Sequence, residues 1–118
     1  MIRIYHNPQC KKSRAGLAYL QARNIDFEVV EYIKQPLPAD RLKRLIAKTG
    51  LMATDLIRVQ EDVFKQQYKG KELTNDQWIE VLAANPRLLK RPIVELDENA
   101  VWADPPENIE HLFNSLKK

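Results

Sequence analysis

The stretch IRIYHNPQCKKSRAGLAYLQARNIDFEVVEYI, residues 2–33, predicts the architecture of the whole chain. Residues 2–5 alternate with the period of two that is typical of a short strand, and from about residue 10 to residue 23 the apolar spacing becomes helical. Residues 26–33 are rich in β-branched and aromatic side chains, which favours a second strand. The stretch therefore predicts a β-loop-α-β unit with two parallel strands and with Cys10 at the N-terminus of the helix.

The middle of the chain is predicted to be helical. Pro38 can begin a helix that Gly50 ends, and TNDQ at residues 74–77 has the capping-box pattern that begins another helix. Asn85-Pro86 ends that second helix. We therefore expect a helical block from about residue 36 to residue 89.

The end of the chain predicts two strands and a final helix. Residues 91–94, RPIV, and 100–102, AVW, have the composition of short strands, and a turn-prone segment separates them. Asp104 can cap the last helix, with Pro105 at its first position. One apolar face of that helix contains Ile109, Leu112, Phe113 and Leu116.

This order of elements defines an α/β fold class. A βαβ unit, a helical block and a ββα unit follow one another, as in a thioredoxin-like fold with a helical insertion between strands 2 and 3. We expect residues 1–118 to form a single domain, with a core of about residues 1–35 and 90–118 and an insertion of about residues 36–89. A chain of 118 residues can bury such a core without disulfides or metal.

The cysteine count limits the redox chemistry of the chain. Cys10 is the only cysteine, which excludes an internal disulfide, a CxxC pair and a multi-thiolate zinc site. We expect no bound metal. Any thiol chemistry must therefore take its second sulfur from another molecule.

Charge and hydropathy narrow the possible partners. The 19 basic and 16 acidic residues are interspersed, for a net charge of +3, and no basic stripe with interleaved aromatic residues predicts specific nucleic-acid binding. The N-terminus lacks the apolar run of a signal peptide, and no stretch approaches the ~20 apolar residues of a membrane span. We expect a cytoplasmic protein, with no membrane partner and a monomeric state.

Cys10 is the strongest candidate for a functional residue. A helix N-terminus favours a thiolate and attracts oxyanions, and Lys11, Lys12 and Arg14 add positive charge nearby. These effects are expected to lower the thiol pKa below the free value of ~8.5. The alternative is a buried, inert thiol, but polar and basic neighbours favour a reactive one.

His6 and Ser13 are candidate partners of the thiol, each with two interpretations. His6 can bond the loop backbone or stabilise the thiolate as an imidazolium. Ser13 can donate a hydrogen bond to the thiolate or act as an ordinary residue of the first helical turn. The residues alone leave both pairs of alternatives open.

Several motifs together resemble a known family. YHNPQCKKSR at residues 5–14, LIR at 56–58, NPRLLKRPIV at 85–94 and PPENI at 105–109 are similar to motifs of the glutaredoxin-coupled arsenate reductase (ArsC) family, which belongs to the thioredoxin-like superfamily. They occur in the expected order and span nearly the whole chain. The resemblance is therefore specific.

The resemblance implies a function and a set of site residues. It implies that Cys10 is the nucleophile, that His6 and Ser13 tune its thiolate, and that Arg58 and Arg91 hold the substrate oxyanion. It further implies a cis peptide bond before Pro92. The implied reaction is the reduction of arsenate to arsenite through a Cys10 thioarsenate, without a bound cofactor, with glutathione as co-substrate and glutaredoxin as the partner that restores the thiol.

One departure from the family pattern keeps other functions open. The family usually has an arginine where this chain has Asp104, and a carboxylate cannot donate hydrogen bonds to an oxyanion. A glutathione-linked thiol redox protein without efficient arsenate activity is therefore an alternative. A regulator resembling the Spx proteins, which bind RNA polymerase, is a further alternative, although those commonly carry CxxC and residue 13 here is serine.

Overall fold

A computed structural model describes residues 1–116 of the chain and the side chains of residues 1–114. Its sheet has four strands in the spatial order β2-β1-β3-β4. β1 and β2 are parallel, whereas β3 is antiparallel to both β1 and β4, so the predicted parallel pair is confirmed. The strands are β1 (Ile2–Tyr5), β2 (Phe27–Val30), β3 (Ile93–Leu96) and β4 (Asn99–Trp102).

Helices connect and cover this sheet. α1 (Lys11–Ala22) links the two parallel strands, and α2 (Ala39–Thr49), α3 (Asp62–Gln67) and α4 (Asn75–Ala84) lie between β2 and β3. α5 (Glu110–Leu116) follows β4. Short 3-10 segments occur at Ala53–Leu56, Pro86–Leu88 and Pro106–Ile109. The predicted thioredoxin-like order, with helices inserted between strands 2 and 3, is confirmed.

The predicted ends of the inserted helices are also confirmed. Gly50 ends α2 in the left-handed conformation, with φ of 73°, which glycine adopts without the strain of a side chain. Thr74 begins α4 by accepting the amide of Gln77, while the Gln77 side chain accepts the amide of Thr74. This reciprocal pair is the capping box that the sequence indicates.

The predicted strand boundaries were wrong in two places. β2 ends at Val30, because the Glu31 carbonyl accepts the amides of Lys34 and Gln35 and closes a turn. β3 begins at Ile93, since Pro92 has no N–H to give to a strand ladder. Tyr32 and Arg91 consequently lie in connections at the sheet edge.

Asp104 does not cap the final helix. Its carboxylate lies 2.9 Å from Nζ of Lys12, and Pro105 occupies the capping position of the 3-10 segment that leads into α5. Ile109 and Leu112 are buried as predicted, and Phe113 packs against the same cluster. The predicted contact of Leu116 lies outside the described side chains.

Two apolar clusters cover the two faces of the sheet. Alternate strand residues point to opposite faces, so Ile4 and Val94 pack beneath α1 and α5, whereas Tyr5 and Ile93 pack against the inserted helices. Within residues 1–116, no helix is long and apolar enough to cross a membrane. The cysteine loop lies at the end of β1, between these two layers.

Candidate active site

The loop after β1 is held by its own hydrogen bonds. Cys10 is the N-cap residue of α1, and its amide donates to the Asn7 carbonyl at 3.0 Å. The Asn7 side chain accepts the amide of Gln9 at 3.1 Å, and the Arg14 guanidinium donates to the Pro8 carbonyl at 3.0 Å. These bonds leave the first amides of α1 directed at the partly exposed Cys10 thiol.

His6 and Ser13 contact each other beneath the loop. Nδ1 of His6 and Oγ of Ser13 share a hydrogen bond at 2.6 Å, and the Asn7 amide donates to the same oxygen at 2.9 Å. Both side chains are buried, and burial lowers the pKa of His6, which favours neutral imidazole over imidazolium. His6 and the Ser13 hydroxyl therefore hold the loop in place. They affect the Cys10 thiolate by fixing the conformation of this loop.

A close contact between α1 and the connection before β3 places Arg91 beside Cys10. The Arg91–Pro92 bond is cis, as the resemblance implied. A Cβ atom at Gly16 of α1 would lie only 2.7 Å from Cγ of Pro92, so the two segments touch because residue 16 has no side chain. The Arg91 guanidinium consequently lies close enough to the thiol to lower its pKa.

Arg58 reaches the same site through a backbone bridge. The Arg58 amide donates to the Leu88 carbonyl at 2.7 Å, and the Lys90 amide donates to the Leu56 carbonyl at 2.8 Å. This antiparallel bridge joins the inserted segment to the connection that carries Arg91. The backbone segments that carry the two arginines are thus brought together although they lie far apart in the sequence.

Both arginines keep a buried donor without a partner. Within the described residues, Nε of Arg58 and Nε of Arg91 are buried and donate no hydrogen bond, although the Glu61 carboxylate lies 3.9 Å from Nε of Arg58. Arg91 is only 7% exposed, and its other described bond goes to the Arg87 carbonyl at 2.8 Å. Because unpaired buried donors are rare in proteins, these two groups indicate a site for an anion.

The environment of Cys10 favours its thiolate. Partial burial opposes ionisation, but hydrogen bonds from the Ser13 amide, the Arg91 guanidinium and the Lys12 amide outweigh it and lower the pKa of the thiol. The lowered pKa agrees with the sequence-based expectation, but the largest causes do not include the Lys11, Lys12 and Arg14 side chains. Arg91 and the amides of Lys12 and Ser13 lower the thiol pKa instead.

Tyr32 belongs to this site, and sequence reasoning missed it. Its ring is buried and its hydroxyl donates to the Leu89 carbonyl at 3.5 Å, while burial raises its pKa to about 12 and the charges of Arg91, Cys10 and Arg58 act on it. The residue follows β2, whose carboxyl end lies beside that of the parallel strand β1. Because functional groups collect at such ends, a strand ending at Val30 would have indicated Tyr32 from sequence.

The remaining charged groups surround the opening of the site. Lys12 pairs with Asp104 and lies over the ring of Trp102, and Lys90 lies over the same ring at 4.7 Å from its centre. Arg87 lines a cleft beside loop residues 7–9. Asp104 is therefore held by a cation rather than directed between Arg58 and Arg91. In residues 1–114 no cluster of three or more potential ligands could hold a metal ion.

Fold and site together define a class of protein: a thioredoxin-like protein with a single thiol of lowered pKa next to a buried arginine. Comparison with known proteins narrows this class. The ArsC family model matches residues 5–112, and the chain belongs to the ArsC family.

Named relatives agree with this family. An arsenate reductase of Neisseria meningitidis serogroup A is 41% identical over 111 residues, which cover 92% of this chain and 95% of that protein. An arsenate reductase of Escherichia coli is 34% identical over 118 residues, covering 99% of this chain and 84% of that protein. The solved structure of an arsenate reductase from Vibrio cholerae superposes with a TM-score of 0.88 at 34% identity, over 93% of this chain and 95% of that one.

Proposed function

We propose that this chain reduces arsenate to arsenite with the Cys10 thiolate as nucleophile. The observation that carries the proposal is a thiol of lowered pKa next to Arg91, together with buried Nε groups on Arg91 and Arg58 that have no hydrogen-bond partner. A tetrahedral oxyanion supplies the acceptors that these donors lack, and guanidinium groups match its geometry. The names of relatives at 41% and 34% identity point to the same substrate.

The proposed chemistry begins with substitution at arsenic. The Cys10 thiolate forms an S–As bond, and one arsenate oxygen leaves as water after protonation, which gives a thioarsenate. Arg58, Arg91 and the amides at the start of α1 balance the negative charge. Arsenic remains in its oxidised state through this step.

Reduction requires a second thiol from outside the chain. A glutathione thiolate forms an S–S bond with Cys10 as the S–As bond breaks, and the two electrons of that bond pass to arsenic and release arsenite. Glutaredoxin then reduces the mixed disulfide and restores the thiol. Because Cys10 is the only cysteine, this external relay suits the chain, and we propose that it acts as a monomer in the reducing cytoplasm without a bound cofactor.

The direct test is arsenite production with glutathione and glutaredoxin present. We expect wild-type protein to turn over and Cys10→Ser, which changes one atom, to lose activity completely. Arg58→Gln should retain a reactive thiol but require a much higher arsenate concentration. Arsenite production by Cys10→Ser at the wild-type rate would refute the proposal.

A second candidate function rests on Asp104. Because Asp104 replaces an arginine of the family pattern, the chain could instead be a glutathione-linked thiol redox protein with little arsenate activity. In that case Cys10 would be readily glutathionylated, yet arsenate would neither protect it nor turn over. Activity that appears only in Asp104→Arg would favour this candidate, whereas wild-type turnover favours the reductase.

A further inference from the structure

We propose that the Tyr32 hydroxyl donates a hydrogen bond to the oxyanion held between Arg58 and Arg91. This inference rests on the proposed function and adds a substrate-contacting residue to it. The residue lies outside the motifs that identify the family in the sequence. The burial of Tyr32 at the end of β2 and the weak hydrogen bond of its hydroxyl support the proposal.

The Tyr32 side chain is held rigidly. It is 1% exposed and follows the carboxyl end of β2, in a turn whose first bond joins its own amide to the Val30 carbonyl. Leu37, Leu42 and Leu89 pack against the ring, and the void that remains between these side chains has a volume of only about 10 Å³. A ring packed in this way keeps its hydroxyl at one position, beside the site.

The charges around the hydroxyl come from the proposed anion site itself. Arg91, Cys10 and Arg58 all act on the pKa of Tyr32 through their charges, although burial has the largest effect. The hydroxyl contacts the carbonyl of Leu89, which pairs with Ile57, the neighbour of Arg58. The phenol proton is therefore directed at the segments that carry the two arginines.

That proton has a poor partner in the absence of an anion. The acceptor within the described residues is the Leu89 carbonyl at 3.5 Å, the long limit for a hydrogen bond. A charged oxyanion is a stronger acceptor than a carbonyl at that distance. Burial raises the pKa of Tyr32 to about 12, so the hydroxyl keeps its proton at neutral pH and can donate it.

The competing explanation is purely structural. Leu89 is buried, and the Tyr32 hydroxyl would then serve only to give its carbonyl a partner. Loss of the hydroxyl would in that case lower the melting temperature and leave the affinity for anions unchanged. The two explanations therefore differ in a measurable quantity.

The test compares Tyr32→Phe with the wild type and with Tyr19→Phe. Tyr19 is a matched control because its hydroxyl donates to Glu110, outside the site. The readout is the arsenate concentration that halves the rate at which iodoacetamide alkylates Cys10. We expect this concentration to rise about tenfold in Tyr32→Phe and to stay unchanged in Tyr19→Phe. Without arsenate, the pH midpoint of alkylation should stay close to that of wild type, since Tyr32 is not among the largest causes of the lowered Cys10 pKa and its hydroxyl is uncharged at neutral pH.

Other outcomes would refute either the role of the Tyr32 hydroxyl or the anion site itself. Unchanged half-protection in Tyr32→Phe, with or without a lower melting temperature, would refute the role of the hydroxyl and leave the anion site intact. Failure of arsenate to protect even wild-type Cys10 would refute the anion site and this inference together. If Tyr32→Phe does not fold, ¹³C NMR of tyrosine-labelled wild type replaces it: saturating arsenate should shift the Tyr32 Cζ signal but not that of Tyr19, and an unmoved Tyr32 signal would refute the inference.

Discussion

At the scale of single residues, the reactivity of Cys10 reflects a competition between burial and hydrogen bonding. Partial burial raises the thiol pKa, whereas two helix amides and the Arg91 guanidinium lower it by a larger amount. The lysine that follows Cys10 in the sequence is exposed and is not among the largest of these causes. Contact with the sulfur, rather than closeness along the chain, therefore decides which charge matters.

Arg91→Gln should raise the Cys10 pKa. The cation stabilises the thiolate, so its loss favours the neutral thiol, and we expect the pH midpoint of iodoacetamide alkylation to move up by about one unit. The rate of alkylation as a function of pH measures this shift. Lys11→Gln is the matched control, since it removes a neighbouring cation that does not contact the sulfur. An equal shift in both variants would show that the general positive charge, and not Arg91, controls the thiol.

At the scale of elements, the site depends on how closely α1 approaches the connection before β3. Gly16 faces Pro92 with no room for a side chain, and this contact aligns the N-terminus of α1 with Arg91. The bridge between residues 56–58 and 88–90 adds Arg58 from the inserted segment. Three separate pieces of the chain therefore meet at this end of the sheet.

Gly16→Ala tests the contact between α1 and Pro92. In an exposed helix the change would stabilise by up to about 1 kcal/mol, because alanine favours helices. Here the added Cβ would lie 2.7 Å from Pro92, so we expect the free energy of unfolding to fall by about 1–3 kcal/mol. The Cys10 pKa should rise as Arg91 is displaced. Denaturant unfolding and alkylation measure the two effects.

Ala18→Gly on the exposed side of α1 is the control for helix propensity. It should lower the free energy of unfolding by about 1 kcal/mol and leave the reactivity of Cys10 unchanged. A more stable Gly16→Ala protein would contradict the proposed close packing.

At the scale of the whole molecule, a buried ionic cluster joins the sheet to the inserted helices. Glu95 of β3 accepts hydrogen bonds from Tyr5 of β1 at 2.8 Å and from Lys48 of α2 at 2.6 Å. Burial alone would raise the Glu95 pKa, but Lys48 and Tyr5 lower it below its ordinary value. The cluster links the central strands to the insertion that supplies Arg58.

Lys48→Met should lower stability in a pH-dependent way. The folded pKa of Glu95 is depressed, so the stabilisation is present above the unfolded pKa of about 4.3 and is lost as pH falls through the folded pKa. We expect the free energy of unfolding to fall by about 1–3 kcal/mol at pH 7, and we expect this difference from wild type to become smaller in acid. Urea unfolding at several pH values measures it.

Lys43→Met is the control for this prediction. Lys43 also lies on α2 and pairs with Asp76 at 3.0 Å, but both side chains are exposed, so the cost should be at most about 1 kcal/mol. Equal losses in the two variants at pH 7 would argue against a special contribution from the buried cluster.

The sequence by itself determined the order of elements, the helix ends at Gly50 and Thr74, and the position of Cys10 at the start of α1. These features depend on local chemistry: periodicity, capping and turn residues act over a few neighbouring positions. The ArsC motifs also indicated Arg58, Arg91 and the cis bond before Pro92, although no local rule would have done so.

Only the tertiary structure decided which groups surround the thiol. It paired Asp104 with Lys12, where the sequence favoured a helix cap, and it turned His6 and the Ser13 hydroxyl towards each other rather than towards the sulfur. It also brought Tyr32 to the site and left Nε of both arginines without a hydrogen-bond partner. These contacts join residues from distant parts of the chain, so packing, which local pattern does not encode, determines them.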